Sequence, residues 1–227
     1  MELLFVRHGQ PDRTVTGPAR SDPPLTAAGR KQAELTALRI SAEEPLPSEL
    51  VASPALRSQE TAGPIAERTG LPIQTVNDLV ELKMPNWDGV PQESIRRVFD
   101  ESFTREPARW WDGLAGGEAF DRFHERITTA VLSLLADRGG RPDPEHDHLW
   151  TIGAPDQRIA VVTHGGTNSV AIAFLLGAAP TPWEWRRFRS RHGSISRLST
   201  IPFSGKHVWS LRSFNDLEHL PANLRTR

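Results

Sequence analysis

Two histidines in this 227-residue chain close apolar runs in the same way. Leu3-Leu4-Phe5-Val6 ends on Arg7-His8-Gly9, and Ile159-Ala160-Val161-Val162 ends, one threonine later, on His164-Gly165-Gly166. Histidine serves as nucleophile, proton carrier or metal ligand near neutral pH. The glycines let another group come close to the backbone. The Gly165-Gly166 amides also open a predicted helix, which favours an anion there. Arg7, directly before His8, adds the planar fork that suits phosphate or carboxylate. A metal site is the competing reading, but it needs at least a third ligand, and no HxH or HExxH spacing lies near either histidine. His146-Asp147-His148 has ligand-like spacing; it sits in a polar stretch and reads as a solvated turn.

The elements that must position these residues follow from the pattern. Short continuous apolar runs are strands buried on both faces. In open α/β sheets the carboxyl ends of such strands line the ligand crevice, so His8 and His164 can meet although 156 positions separate them. Thr26 is expected to cap a helix over 27–40, with Ala33, Leu35 and Leu38 among its apolar positions. A short strand at 50–52 stops at Ser53-Pro54. A helix over 55–69 ends at Gly70, and a third strand covers 73–76. Segment 83–117 mixes Trp87, Phe99, Phe103, Trp110 and Trp111 with charges and reads as irregular helices. A long amphipathic helix covers 118–138, a polar loop 139–157, and an apolar helix 167–176. Two alternating runs, 194–201 and 207–214, read as a hairpin around Phe203-Ser204-Gly205, before a loose tail from about 215 to 227.

Composition narrows the class. The formal net charge is -1, so nothing global favours a nucleic acid or an anionic membrane as partner. Cysteine is absent, which excludes disulfides, thiolate metal sites and cysteine nucleophiles, and suits a reducing compartment. The first residues lack the basic start and cleavage site of an export signal, and no run approaches a membrane span, so a cytoplasmic protein is expected. Lysine occurs only at 31, 83 and 206, leaving arginine to supply 24 of the 27 basic residues. On composition alone a GC-rich genome accounts for that.

Five blocks give the sequence a resemblance to the histidine phosphatase superfamily, the phosphoglycerate mutase-like, RHG-motif branch. They are Phe5-Val6-Arg7-His8-Gly9-Gln10; Asp22-Pro23-Pro24-Leu25-Thr26 with Gly29 and Gln32-Ala33 downstream; and Ser53-Pro54-Ala55-Leu56-Arg57-Ser58-Gln59-Glu60-Thr61-Ala62. Then come Leu79-Val80-Glu81 ahead of Trp87-Asp88-Gly89, and last Gly116-Gly117-Glu118 with Val161-Val162-Thr163-His164-Gly165-Gly166. The resemblance implies phosphomonoester hydrolysis with His8 as nucleophile and a phosphohistidine that water hydrolyses. Attack needs a neutral imidazole, with one ring nitrogen held as a donor, a backbone carbonyl being the expected acceptor. It further implies Arg7 and Arg57 as phosphate clamps, His164 as a second donor to the phosphoryl oxygens, Gly165 as a backbone contact, and Glu81 as proton donor to the leaving group. A phosphatase of the histidine acid phosphatase type needs no metal and no organic cofactor.

The departures from the family pattern bear on the chemistry. Where many members carry a phosphate-contacting Asn, this chain has Thr14, so either Gln10, Thr14 or Thr16 takes that role or the role is absent. Mutases carry an Arg-Glu-Arg-x-Tyr-Gly block near the acid; here the sequence reads Glu81-Leu82-Lys83-Met84-Pro85-Asn86-Trp87, with no tyrosine anywhere. Hydrolysis is therefore preferred over a cofactor-dependent mutase, and over a non-catalytic binding module. His124 and His192 read as packing or surface residues, with His192 the closer to the site because it opens a strand. Trp87, Trp110 and Trp111 could line a substrate pocket or belong to the core or an interface. The expected architecture is a three-layer α/β/α sandwich with a mostly parallel central sheet over residues 1–227, in which 83–157 form a cap-like insertion over the strand ends. The expected partner is a small phosphomonoester, and a homo-oligomer is possible.

Overall fold

The structure, a computed structural model, describes residues 1–12 and 21–227. Thr14 and Thr16 lie outside the described residues. Among the described residues, eight strands form one sheet. They are β1 (Glu2–Arg7), β2 (Glu49–Ala52), β3 (Ile73–Thr75), β4 (Gly140–Pro142), β5 (Trp150–Ile152), β6 (Arg158–Thr163), β7 (Ile195–Phe203) and β8 (Lys206–Asp216), in the order β3-β2-β6-β1-β7-β8-β5-β4. The pairings of β3, β2, β6 and β1 are parallel, and only β7 and β5 run against the other six strands. Strands β1 and β6 lie side by side in the middle, Arg7 in register with Thr163, so His8 and His164 leave adjacent strands at the same level.

The period-2 alternation of buried strands places two cores on the two faces. Leu4, Val6, Leu50, Ala160 and Val162 pack against α1 (Ala27–Ser41) and α2 (Leu56–Thr69). Leu3, Phe5, Val51, Ile159 and Val161 pack against α4 (Phe120–Ala136) and α5 (Gly165–Leu175). Three α/β/α layers result, as the sequence implies. Helix α5 is buried nearly all round, apolar from Val170 to Leu175, with Thr167, Asn168 and Ser169 buried in its first turns.

Four expectations need correction. Helix α1 does not bury Leu38, which is half exposed; its inward face carries Gln32, Ala33, Thr36, Ala37 and Ile40, two of them polar. The stretch 139–157 is not only loop: β4 and β5 within it extend the sheet beyond β8. Helix α4 is a core layer rather than part of a cap, with Phe123, Ile127 and Leu135 fully buried. Of the expected insertion, therefore, only 83–117 stands over the strand ends, as α3 (Gln92–Ser102) and a 3-10 turn at Pro107–Asp112. The last residues are docked, not loose. Leu220 is buried, and Gln32 Nε2 donates to Leu224 O at 2.6 Å and to Thr226 Oγ1 at 2.9 Å.

The hairpin expectation matches β7 and β8, joined through Ser204 and Gly205. Both residues have positive φ, the conformation of a two-residue turn that follows the strand twist.

Candidate active site

The strand ends bring five predicted residues together. The His8 and His164 ring centroids are 5.1 Å apart in an edge-on arrangement, and both rings are almost wholly buried. His8 Nδ1 donates to Gly9 O at 2.7 Å. That fixes the tautomer through a backbone carbonyl and turns the Nε2 lone pair outward, where Arg57 Nε donates to it at 3.3 Å. The loop that presents His8 depends on a close backbone crossing: a side chain on Gly9 would meet Gly29 O at 2.5 Å, and one on Gly29 would meet Gln10 O at 2.2 Å. Thr61 Oγ1 on α2 accepts from Gly9 N, completing the support.

Arg57 leaves the first turn of α2 because Ser53-Pro54 ends β2 and the Asp22 carboxylate accepts from the Leu56 amide at the helix start. Asp22 also takes Arg57 Nη1 at 3.2 Å. His164 Nε2 lies 2.8 Å from Ser53 Oγ, so the same β2 terminus holds both Arg57 and the second histidine. Arg7 Nη1 donates to Ser190 O at 2.6 Å.

Glu81 reaches the site from the segment after β3. Its Oε2 accepts from Gly166 N at 2.9 Å and its Oε1 from Leu82 N at 3.0 Å. A side chain on Gly166 would meet Glu81 Oε1 at 2.4 Å, so any larger residue there displaces this carboxyl. The segment is stapled to α4 by one ion pair. Arg126 Nε and Nη2 grip Glu118 at 2.8 and 2.7 Å, while its Nη1 donates to Asp78 O at 2.6 Å and Val80 O at 3.1 Å. Glu118 in turn accepts from Lys83 N. Thus the Gly116-Gly117-Glu118 block ties down the backbone at Lys83, two residues after Glu81. The Trp87-Asp88-Gly89 block also ties backbone together, since Asp88 accepts from Ser21 N and Oγ.

Gln10 departs from its expected role, whereas His192 stands beside the site, as its place before a strand implies. The Gln10 side chain is occupied structurally, its Oε1 accepting from Thr26 Oγ1 at 2.8 Å at the cap of α1. His192, read as a packing or surface residue, is buried with its ring centroid 5.7 Å from that of His8. Its Nε2 accepts from Arg7 Nη2 at 3.1 Å, so Nδ1 carries the proton and donates to Thr226 Oγ1 at 3.0 Å. The only sequence signal for it was its place just before β7, the neighbour of β1.

Two cavities meet at Glu81. One, of about 370 Å³, reaches Arg7, Gly165 and Gly166; the other, of about 550 Å³, reaches Arg57 and Asp22. Among the described residues, no group of three or more His, Cys, Asp or Glu is placed to hold a metal. No helix among them is long and apolar enough to cross a membrane.

Burial holds the His8 imidazole well below the ordinary histidine range, and His164, Arg57 and Arg7 push the same way against the Gly9 carbonyl. Burial also lowers His124 and His219. The unfolded chain therefore binds protons at these positions near pH 6.5 that the folded chain refuses. Stability is greatest above that pH and falls as pH drops through it. The expected result is a lower Tm at pH 5 than at pH 7.5 in thermal unfolding; an equal or higher Tm at pH 5 contradicts the assignment.

A family model described as histidine phosphatase superfamily (branch 1) matches residues 3–216. A probable phosphoglycerate mutase, GpmB, of Yersinia enterocolitica is 30% identical over 226 residues, covering 97% of this chain and 95% of that protein. Glucosyl-3-phosphoglycerate phosphatase of Mycobacterium tuberculosis is 30% identical over 187 residues, covering 80% and 78%. The native structure of the mycobacterial glucosyl-3-phosphoglycerate phosphatase superposes with a TM-score of 0.69 at 26% identity, covering 94% of this chain and 98% of that one.

Proposed function

The chain belongs to the histidine phosphatase superfamily, and from that premise we propose that it hydrolyses small phosphomonoesters through a phosphohistidine on His8. The observation that carries the reading is the His8 imidazole itself: Nδ1 tied to a carbonyl, Nε2 directed at Arg57, and the ring held uncharged by its surroundings. A neutral ring with a fixed tautomer is what in-line attack on phosphorus needs.

An entering phosphate dianion competes for the Arg57 guanidinium, which exchanges His8 Nε2 and Asp22 for phosphoryl oxygens. Arg7, His164 and the amide end of α5 supply the remaining positive potential where charge spreads in a loose transition state. His8 Nε2 forms the bond to phosphorus as the ester P–O bond breaks. The leaving oxygen takes a proton from Glu81. Water, deprotonated by the same carboxylate, then attacks the phosphohistidine and releases inorganic phosphate. The names of the relatives divide between mutase and phosphatase. The absence of tyrosine and the Lys83-Met84-Pro85-Asn86-Trp87 run after the acid support hydrolysis.

The expected result is phosphate release from p-nitrophenyl phosphate and from alkyl phosphates at an unchanged rate in excess EDTA. Loss of activity with chelator argues for a metal mechanism. Interconversion of phosphoglycerates that depends on bisphosphoglycerate, without phosphate release, argues for a mutase.

A further inference from the structure

The 370 Å³ cavity has a composition that the transfer chemistry does not require. At one end stand Arg7, Glu81, Gly165 and Gly166; the walls beyond are Phe99, Phe103, Trp110, Phe120, Trp185 and Phe188. Its size falls in the range of small-molecule pockets. The walls interlock: Trp110 lies 5.8 Å from Phe103 and 6.4 Å from Trp185, and Trp185 lies 5.6 Å from Phe120. The turn that carries Trp110 is braced. Arg105 donates to Gly113 O at 2.5 Å, and a side chain on Gly113 would meet Glu118 O at 2.3 Å. Two of the lining residues, Phe103 and Met84, stay 52% and 41% exposed, apolar surface left without protein to cover it. Lys83, Arg189 and Arg191 stand around the same cavity and attract the anion without specifying what it carries.

We propose that the alcohol half of the substrate is a flat, aromatic or otherwise mainly apolar group that lies in this cavity against Trp110, rather than a polar three-carbon acid. The assignment rests on the phosphatase reading above and names the substrate class of that site. A three-carbon hydroxy or amino acid brings little apolar surface to six aromatic walls, whereas a ring system gains from each face it covers. Specificity then resides in 99–110 and in 183–188, and the phosphate end is shared by all substrates.

The test compares ethyl phosphate with 2-(1-naphthyl)ethyl phosphate, two primary esters with leaving alcohols of similar basicity. The expected kcat/KM is at least about thirtyfold higher for the naphthyl ester. Trp110→Ala lowers that value about tenfold, mostly through KM, and leaves ethyl phosphate within about twofold. Phe103→Ala, at an exposed position where the fold is not at stake, shifts the naphthyl ester in the same direction. Equal rates for the two wild-type reactions, or equal slowing of both esters by Trp110→Ala, overturn the proposal and leave the hydrolase intact. If neither ester is turned over, the hydrolase reading fails. Calorimetric binding of 2-(1-naphthyl)ethylphosphonate against ethylphosphonate then decides the pocket, with the same preference expected and its absence overturning it.

Discussion

His8→Ala lowers kcat/KM for p-nitrophenyl phosphate by at least about a thousandfold. The substitution leaves Arg7, Arg57, His164 and the α5 amides in place, so the variant still offers an anion pocket. What it loses is the atom that forms the bond to phosphorus. His164, 5.1 Å away ring to ring, does not take over, because its Nε2 is directed at Ser53 Oγ rather than toward the cavities. The measurement is a steady-state assay paired with quench experiments on labelled substrate. Wild type is expected to yield an acid-labile phosphoprotein and His8→Ala none. Activity within tenfold of wild type rejects His8 as nucleophile. Unfolding does not confound the result if the Tm at pH 7.5 is retained, and removing a buried imidazole whose charging opposes folding is compatible with that.

The parts legible in the sequence were those that local physics encodes. Continuous apolar runs marked β1 and β6, and a polar triplet after each marked the level at which they end. The Thr26 cap and the left-handed Gly70 stop were readable because both are properties of one residue and its immediate neighbours. The illegible parts depend on partners distant in sequence. The inward face of α1 contains Gln32 because its amide bridges Gln10 N to the last turn of the chain, 192 positions away at Leu224. No periodicity signals that. Strands β4 and β5 have three residues each and exist because β8 offers an edge. His192 belongs to no motif, and its nearness to His8 follows from β7 pairing with β1. The arginine excess, opaque as composition, resolves into individual roles. Arg158 joins Glu2 and Glu43, Arg138 holds Glu49, and Arg126 holds Glu118, while Arg7 and Arg57 stand at the site. Guanidinium suits these positions because one group satisfies a carboxylate and several carbonyls together, which an ammonium does less well.

Glu81→Gln and Arg126→Met are expected to fail in the same selective way, which separates the acid from the clamp. An alkoxide departs slowly unless it is protonated as it leaves, whereas p-nitrophenolate departs unaided. Glu81→Gln therefore lowers kcat for an alkyl phosphate by about a hundredfold or more and for p-nitrophenyl phosphate by less than about tenfold. Arg126 lines neither of the two cavities that meet at Glu81. Its guanidinium holds the carbonyls of Asp78 and Val80 and the Glu118 carboxylate, and so sets where the Glu81 carboxyl stands over Gly166. Methionine keeps most of the volume but leaves Glu118 without its partner. That costs about 3 kcal/mol of stability in a largely buried pair and frees the 78–83 backbone. The alkyl-to-aryl rate ratio should fall by about tenfold in Arg126→Met, in the same direction as the larger fall in Glu81→Gln, with inhibition by inorganic phosphate little changed. A purely structural loss would depress both esters together and lower the amount of active enzyme without altering the ratio. Equal slowing of both esters by Glu81→Gln would instead place the proton donor elsewhere, and the two cavities that meet at Glu81 would then need a different reading.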